Sequence, residues 1–242
     1  MAARIRLAVF SAFIVFFVAV MGLLCLPLIL FGRNVARSVV KLWAKLGLFC
    51  LKIIAGVSYR VEGVENIPQE GAIIAANHQS MWETIALYAI APKPVMVFKK
   101  ELLKIPVYGW WAKYAGNLCV DRKGGSKAMR TLIRAARERI EAGEQVIIFP
   151  EGTRTAPDTR TRYQPGVAGV YVGAQAPCVP AVHDSGRYWR HHAREMVPGV
   201  ITLRFLPAIP PGLASKAFLA ELEMRIDNAR PDRTPAPEGV SQ

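Results

Sequence analysis

Apolar and polar positions divide the chain into stretches of different period. From Leu7 to Phe31 runs LAVFSAFIVFFVAVMGLLCLPLILF, 25 residues without a charge and with Ser11 as the only polar side chain. As one helix this stretch would reach about 37 Å, more than the roughly 30 Å of a bilayer's hydrocarbon. A cleaved signal peptide has a shorter apolar region and a small-residue cleavage site, whereas FGRNVARS follows here. Gly22 and Pro27 leave open a bent insertion into one leaflet as well as a full span. Residues 37–56 follow another pattern. At helical spacing Arg37, Lys41, Lys45 and Lys52 form a stripe interrupted by Leu48, with Leu42, Trp43, Leu46, Phe49, Leu51 and Ile53 around the remainder. This predicts a helix lying at the headgroup level. Residues 1–57 therefore read as a membrane anchor, an apolar helix over 7–31 and a basic amphipathic helix over 37–56.

Beyond Val57 short apolar runs alternate with helical segments, which predicts an α/β domain: a mixed sheet flanked by helices, carried behind the N-terminal membrane-anchoring helical segment. The expected strands are 57–63, 72–77, 94–99, 117–121, 145–150, 178–183 and 200–209. The clearest helix is 126–142, with Leu132, Ala135, Ala136 and Ile140 on one face and Gly143 after it. A terminal amphipathic helix is expected over 213–229. The domain thus spans 58–230, and PDRTPAPEGVSQ (231–242) reads as a disordered tail.

Composition narrows the class. With 242 residues, 52% hydrophobic and 20% charged, the chain can bury a core and is not disordered. Its four cysteines have neither CxxC spacing nor the density of a disulfide framework, which suits a reducing compartment. Of the net charge of +13, much sits at the start, because residues 1–60 hold eight basic residues and no acidic one. Charge beside a long apolar stretch points to anionic lipid, and no nucleic-acid-binding module accompanies it. Arg33, Arg37, Lys41 and Lys45 downstream outnumber Arg4 and Arg6 upstream, so the positive-inside rule places the rest of the chain in the cytoplasm.

Several expected strands end in polar groups: AIIAAN in HQSMWE, PVMVFK in KELL, NLCVD in RKGGS, QVIIFP in EGTRT. Functional side chains gather where strands end. His78 and Glu83 are the sharpest pair, since a carboxylate in a first helical turn can fix an imidazole's tautomer and stabilise it once protonated. Ser80-x-x-Glu83 also fits a capping box, which gives Glu83 a purely structural alternative. Lys99, Lys100, Arg122 and Arg154 could hold a phosphate, with Gly152 letting backbone amides approach the same anion.

NHQSMWE, then KKELLKIPVYGW followed by DR, then FPEGTR, then CVP, in this order and spacing, resemble the four blocks of the glycerolipid acyltransferases, specifically the bacterial 1-acyl-sn-glycerol-3-phosphate acyltransferases. The resemblance covers residues 60–210 or so. It implies transfer of an acyl chain from a coenzyme A or acyl-carrier-protein thioester to the sn-2 hydroxyl of lysophosphatidic acid, giving phosphatidic acid. It implies a bacterial inner membrane with the catalytic domain on the cytoplasmic side. By position His78 is the general base and Glu83 its partner. Lys99, Arg122, Glu151, Gly152, Thr153 and Arg154 fall to substrate binding. No metal, cofactor or nucleic acid is implied, and the partners are the bilayer, lysophosphatidic acid and the acyl donor. The chain departs from the family in carrying Glu83 where Asp is usual and Gln164 where Lys is frequent. Other readings are an acyltransferase for another lysolipid, such as a lyso-ornithine lipid, or a non-catalytic membrane lipid-binding protein. A serine esterase is disfavoured because no serine sits in G-x-S-x-G. HExxH is absent too, and His183, His191 and His192 read as surface histidines.

Overall fold

The computed structural model describes residues 1–121, 124–157, 159, 161–190 and 194–231. Arg122, His191, His192 and the tail from Asp232 onward lie outside the described residues. After helices α1 (Ala2–Leu24) and α2 (Arg33–Ala55) the chain alternates strand and helix: β1 (Val57–Glu62), β2 (Ala72–Ala76), α3 (Trp82–Ile90), β3 (Pro94–Lys99), α4 (Tyr108–Tyr114), β4 (Leu118–Val120), α5 (Gly125–Glu141), β5 (Gln145–Ile148), α6 (Pro165–Ala174) and β6 (Cys178–His183). A one-turn helix α7 (Ser185–Tyr188), the paired antiparallel two-residue strands β7 (Trp189–Arg190) and β8 (Glu195–Met196), β9 (Gly199–Phe205) and α8 (Ser215–Ala229) complete it.

The main sheet has seven strands in the order β1-β9-β6-β2-β5-β3-β4. Its pairings are parallel except β6 with β9, so the sheet is mixed, as its sequence suggested. The β2 strand, AIIAA, is buried throughout because helices cover both faces. Alternation sends Ile74 and Ala76 into a layer with Leu48, Leu51, Ala86 and Leu87 from α2 and α3, joined by Phe10 of α1. Ile73 and Ala75 face the opposite layer, built from Leu132 and Ile140 of α5, Val167 and Val170 of α6, and Phe218 and Leu222 of α8. Helices α1 and α2 therefore lie on the face of the sheet opposite α5.

The N-terminal region differs from its sequence reading in two respects. The apolar stretch is not one helix: α1 begins at Ala2, stops at Leu24, and a 3-10 turn occupies Leu26–Phe31. Pro27 in that turn has no N–H to continue the α-helical ladder. Even so, α1 is long and apolar enough to cross a membrane, and only 11% of its most apolar window is buried.

The second difference concerns the basic stripe of α2, part of which turns inward. Arg37 is buried in an ion pair with Glu144. Lys41 Nζ donates to the carbonyls of Ala91 and Pro92, 2.6 and 3.1 Å away, at the end of α3. Two of the four cations thus dock the helix on the α/β domain, leaving Lys45 and Lys52 exposed beside Leu42, Phe49 and Ile53. A further joint forms at Gly22, where a β-carbon would meet Val107 Cγ1 at 2.1 Å. Trp111 Nε1 donates to the Gly22 carbonyl at 3.0 Å, so glycine lets α4 close against α1.

Candidate active site

The carboxyl ends of β2, β5 and β6, neighbours in the sheet, bring three segments together. The first follows β2. Asn77 is buried and exchanges both of its amide bonds with the backbone of His183 at the end of β6, each at 3.0 Å. This lashes the start of the His78 loop to the neighbouring strand. The loop then turns into α3, which places Glu83 in the first turn.

Glu83 is completely buried and accepts from five donors. Its Oε1 receives His78 Nδ1 at 2.7 Å and the backbone N–H groups of Gln79 and Ser80, each at 2.8 Å. Its Oε2 receives the hydroxyls of Ser80 at 2.7 Å and Ser185 at 2.9 Å. Burial pushes its pKa up, but His183, then the bond and charge of His78, then the Ser80 hydroxyl outweigh it and bring it to about 2. The carboxylate is therefore charged at neutral pH. Ser80 N–H to Glu83 and Trp82 N–H to Ser80 Oγ, at 3.0 Å, are the contacts of a helix start. Capping and His78 contact thus fall on the same side chain.

Because a carboxylate can only accept, His78 carries its proton on Nδ1 and its lone pair on Nε2. The ring stacks on Phe149 with centroids 4.3 Å apart and 18° between planes, and its side chain is 15% exposed. A rigid imidazole with one nitrogen held by a buried anion and the other available can act as a general base.

The second segment follows β5 and supports the first from below. Thr155 N–H donates to the His78 carbonyl at 2.8 Å, and Arg154 Nε to the Ser80 carbonyl at 3.0 Å. Gly152, at φ +71°, makes the turn that returns the chain toward His78. Glu151 is buried and accepts from Thr155 Oγ1 at 2.5 Å, and burial raises its pKa to about 7. Of the residues suggested for substrate binding, Arg154 and Gly152 are partly exposed and Thr153 is exposed beside the His78 loop, whereas Glu151 lies beneath it. Lys99 is exposed at the end of β3, and among the described residues no hydrogen bond or ion pair joins it to the His78 cluster. Arg122 falls outside the described residues.

Sequence reading missed the third segment, after β6. His183 is not a surface residue: it is fully buried, with Nε2 4.0 Å from Glu83 Oε2. Nε2 donates to the Asn77 carbonyl at 2.7 Å, and Nδ1 faces the Ser185 N–H at 3.4 Å. Burial lowers its pKa, against the pull of the Glu83 charge and the Asn77 carbonyl. The available signal was its place at the end of a wholly apolar strand. Among the described residues no group of three or more His, Cys, Asp or Glu side chains could hold a metal.

A buried anion behind a half-open histidine stands at the carboxyl rim of a mostly parallel sheet, where the loops of α/β enzymes carry their functional groups. Residues 58–184, more than half of the chain, match the family model described as acyltransferase, and the chain belongs to that family. It is 32% identical over 191 residues to the 1-acyl-sn-glycerol-3-phosphate acyltransferase of Pseudomonas aeruginosa, covering 79% of this chain and 74% of that one. To the human 1-acyl-sn-glycerol-3-phosphate acyltransferase alpha it is 28% identical over 182 residues, covering 74% of this chain and 63% of that one. Its fold is shared with the crystal structure of the 1-acyl-sn-glycerophosphate (LPA) acyltransferase PlsC from Thermotoga maritima. There the TM-score is 0.74 at 22% identity, covering 96% of this chain and 99% of that one.

Proposed function

We propose that the protein transfers a fatty acyl chain from a thioester to the sn-2 hydroxyl of lysophosphatidic acid, forming phosphatidic acid in phospholipid biosynthesis. The observation that carries this reading is the 2.7 Å bond from His78 Nδ1 to the buried Glu83 carboxylate. The named relatives supply the substrate class. His78 Nε2 takes the proton of the acceptor hydroxyl as its oxygen attacks the thioester carbonyl. The tetrahedral intermediate collapses, the C–S bond breaks, and the imidazolium returns the proton to the leaving thiolate. Glu83 stabilises the imidazolium between these steps. No acyl-enzyme is needed, because the thioester is already activated. Arg154 and Lys99, with Arg122, supply charge for the acceptor phosphate, and Gly152 and Thr153 supply approach to it. Glu151 acts from beneath by holding the loop.

The apolar α1, with Lys45, Lys52 and the apolar residues exposed on α2, supports attachment to a bacterial inner membrane. The greater basic charge after α1 supports a cytoplasmic catalytic domain. The test is transfer from labelled oleoyl-coenzyme A by detergent-purified protein, beside His78→Ala, with lysophosphatidic acid and lyso-ornithine lipid as separate acceptors. Phosphatidic acid from wild type and none from the variant is the expected result. Transfer to the second acceptor alone would replace the proposed substrate.

A further inference from the structure

The ladder between β2 and β6 ends at the pair of Ala76 and Ala181, and two side chains carry the join onward. Asn77 holds the backbone of His183 by its amide, and His183 in turn donates from Nε2 to the Asn77 carbonyl at 2.7 Å. That carbonyl belongs to the peptide bond leading into His78. Because a peptide unit is planar, fixing its oxygen fixes the direction in which the His78 backbone leaves it. The peptide on the far side of His78 is fixed as well, since the His78 carbonyl accepts from the Thr155 N–H at 2.8 Å. His78 is therefore clamped between two pinned peptides, one held from β6 and one from the loop after β5.

The same ring bears on Glu83. Its Nε2 lies 4.0 Å from Oε2, beyond hydrogen-bond reach. Against the burial that opposes its charge, this ring is the strongest influence keeping Glu83 ionised. Nδ1 lies 3.4 Å from the N–H of Ser185, whose hydroxyl donates to Oε2 at 2.9 Å. One imidazole thus meets both the peptide before His78 and the groups around its carboxylate. Packing does not call for an imidazole here. All six residues of CVPAVH are buried, and the ring stands edge-on to Trp82 with centroids 6.0 Å apart. Leucine fills such a place without the cost of desolvating a polar ring. What leucine lacks is an N–H aimed at the Asn77 carbonyl.

We propose that His183 is a positioning residue for His78 and Glu83, holding the peptide before the one and the carboxylate of the other so that Glu83 meets Nδ1 of His78. It acts through these two groups and not on the substrate. Its kinetic consequence rests on the acyl-transfer reading, whereas its effect on the tautomer of His78 does not. The test compares wild type with His183→Leu, which fills the space without a donor, and with His183→Gln, whose amide N–H reaches the place of Nε2. His183→Asn, polar but too short for the Asn77 carbonyl, stands in for the leucine variant if a melting curve shows that one to fold poorly. The tautomer is read from 15N chemical shifts of labelled protein in detergent, with His78 assigned by the loss of its signals in His78→Ala. In His183→Leu these shifts should move from the Nδ1–H toward the Nε2–H pattern, because the carboxylate and the ring no longer meet squarely. Acyl transfer from oleoyl-coenzyme A to lysophosphatidic acid should lose about 10- to 100-fold in kcat with KM within about twofold, as slight misplacement of a reacting group does. His183→Gln should keep the Nδ1–H pattern and stay within about threefold of wild-type kcat.

Wild-type kcat and an unmoved Nδ1–H pattern in His183→Leu would overturn the assignment and leave His183 a packing residue. So would an equal loss of kcat in the leucine and glutamine variants with the His78 pattern unchanged in both, since a general loosening of the fold does not distinguish a donor from its absence. A shift of tautomer in His183→Leu, restored in His183→Gln, in a protein that acylates no lysophosphatidic acid would uphold the positioning role and remove the proposed acceptor. Acylation by wild type and by both variants alike, with no shift of tautomer, would do the reverse.

Discussion

Two buried glutamates, Glu83 after β2 and Glu151 after β5, stand on adjacent strands and are held in opposite states. Glu83 is 0% exposed and lies near pKa 2, while Glu151 is 3% exposed and lies near 7. Burial is almost the same, so burial does not set the charge. Glu83 has five donors, two of them backbone N–H groups, and an imidazole on each side. Against its desolvation Glu151 has the Thr155 hydroxyl, the charge of Arg230 and a backbone contact from His78, while the charge of Glu83 adds to the desolvation. The two sites therefore differ in kind: a permanent anion faces His78, and a carboxyl that gives up its proton only near neutrality braces the loop that carries it.

The comparison breaks most visibly at Glu83→Gln. The amide can place its NH2 toward Ser80 and Ser185, whose hydroxyls rotate to accept, and its oxygen toward His78 and the backbone N–H groups. The fold should survive while the charge is lost. We expect kcat to fall by about 10²- to 10³-fold with little change in KM, read by steady-state kinetics beside a melting curve. Wild-type kcat in this variant would reduce Glu83 to its capping role. Glu83→Asp keeps the charge but retreats by one methylene from part of its donor set. A loss of about tenfold is expected, smaller than for glutamine because the protonated imidazole is still stabilised.

The sequence showed why His78 and Glu83 belong together, but not the extent of the cage around them. Strand positions, the mixed sheet and α5 were legible because period-2 and period-3.6 patterns act locally. Ser185 and Glu83 are 102 residues apart, and only the adjacency of β6 and β2 joins them. The same blindness affected His183, since a histidine closing an apolar strand reads as exposed until its neighbouring strand is known. In α2 the basic stripe was legible as a pattern, yet its reading as a lipid-facing surface missed Arg37. The partner of Arg37 is Glu144, 107 residues away, and no helical wheel contains it.

Glu151→Gln sharpens the comparison through pH. A carboxyl whose folded pKa is raised stabilises the fold fully below its unfolded value of 4.5, and that contribution is lost as pH rises through about 7. The depressed Glu83 acts the other way: its contribution is present above 4.5 and disappears as pH falls through about 2. Wild-type unfolding free energy should accordingly drop by on the order of 3 kcal/mol between pH 4.5 and 7 on account of Glu151. Glutamine cannot ionise, so in Glu151→Gln this part of the slope should vanish, while the acid limb set by Glu83 stays. Chemical denaturation at several pH values measures both. An unchanged slope would mean that Glu151 is ionised in the folded protein throughout.

Thr155→Val gives the smallest and most local effect, because the backbone bond from Thr155 to the His78 loop, the shorter of its two contacts there, is kept. Its N–H holds the His78 carbonyl at 2.8 Å and survives the change, whereas its hydroxyl, which serves Glu151 at 2.5 Å and lies 3.3 Å from the same carbonyl, does not. Valine fills nearly the same space, so the cost should be that of one buried hydrogen bond, about 1 kcal/mol. The hydroxyl bond favours the ionised form of Glu151, so its removal should shift the fall in stability to higher pH. If kcat and the Glu83-dependent acid limb stay at wild-type values while the neutral limb moves, the two carboxyl environments are independent. Movement of both limbs together would show that the β5 loop transmits the state of Glu151 to His78 and its carboxylate, and the contrast between the two sites would fail.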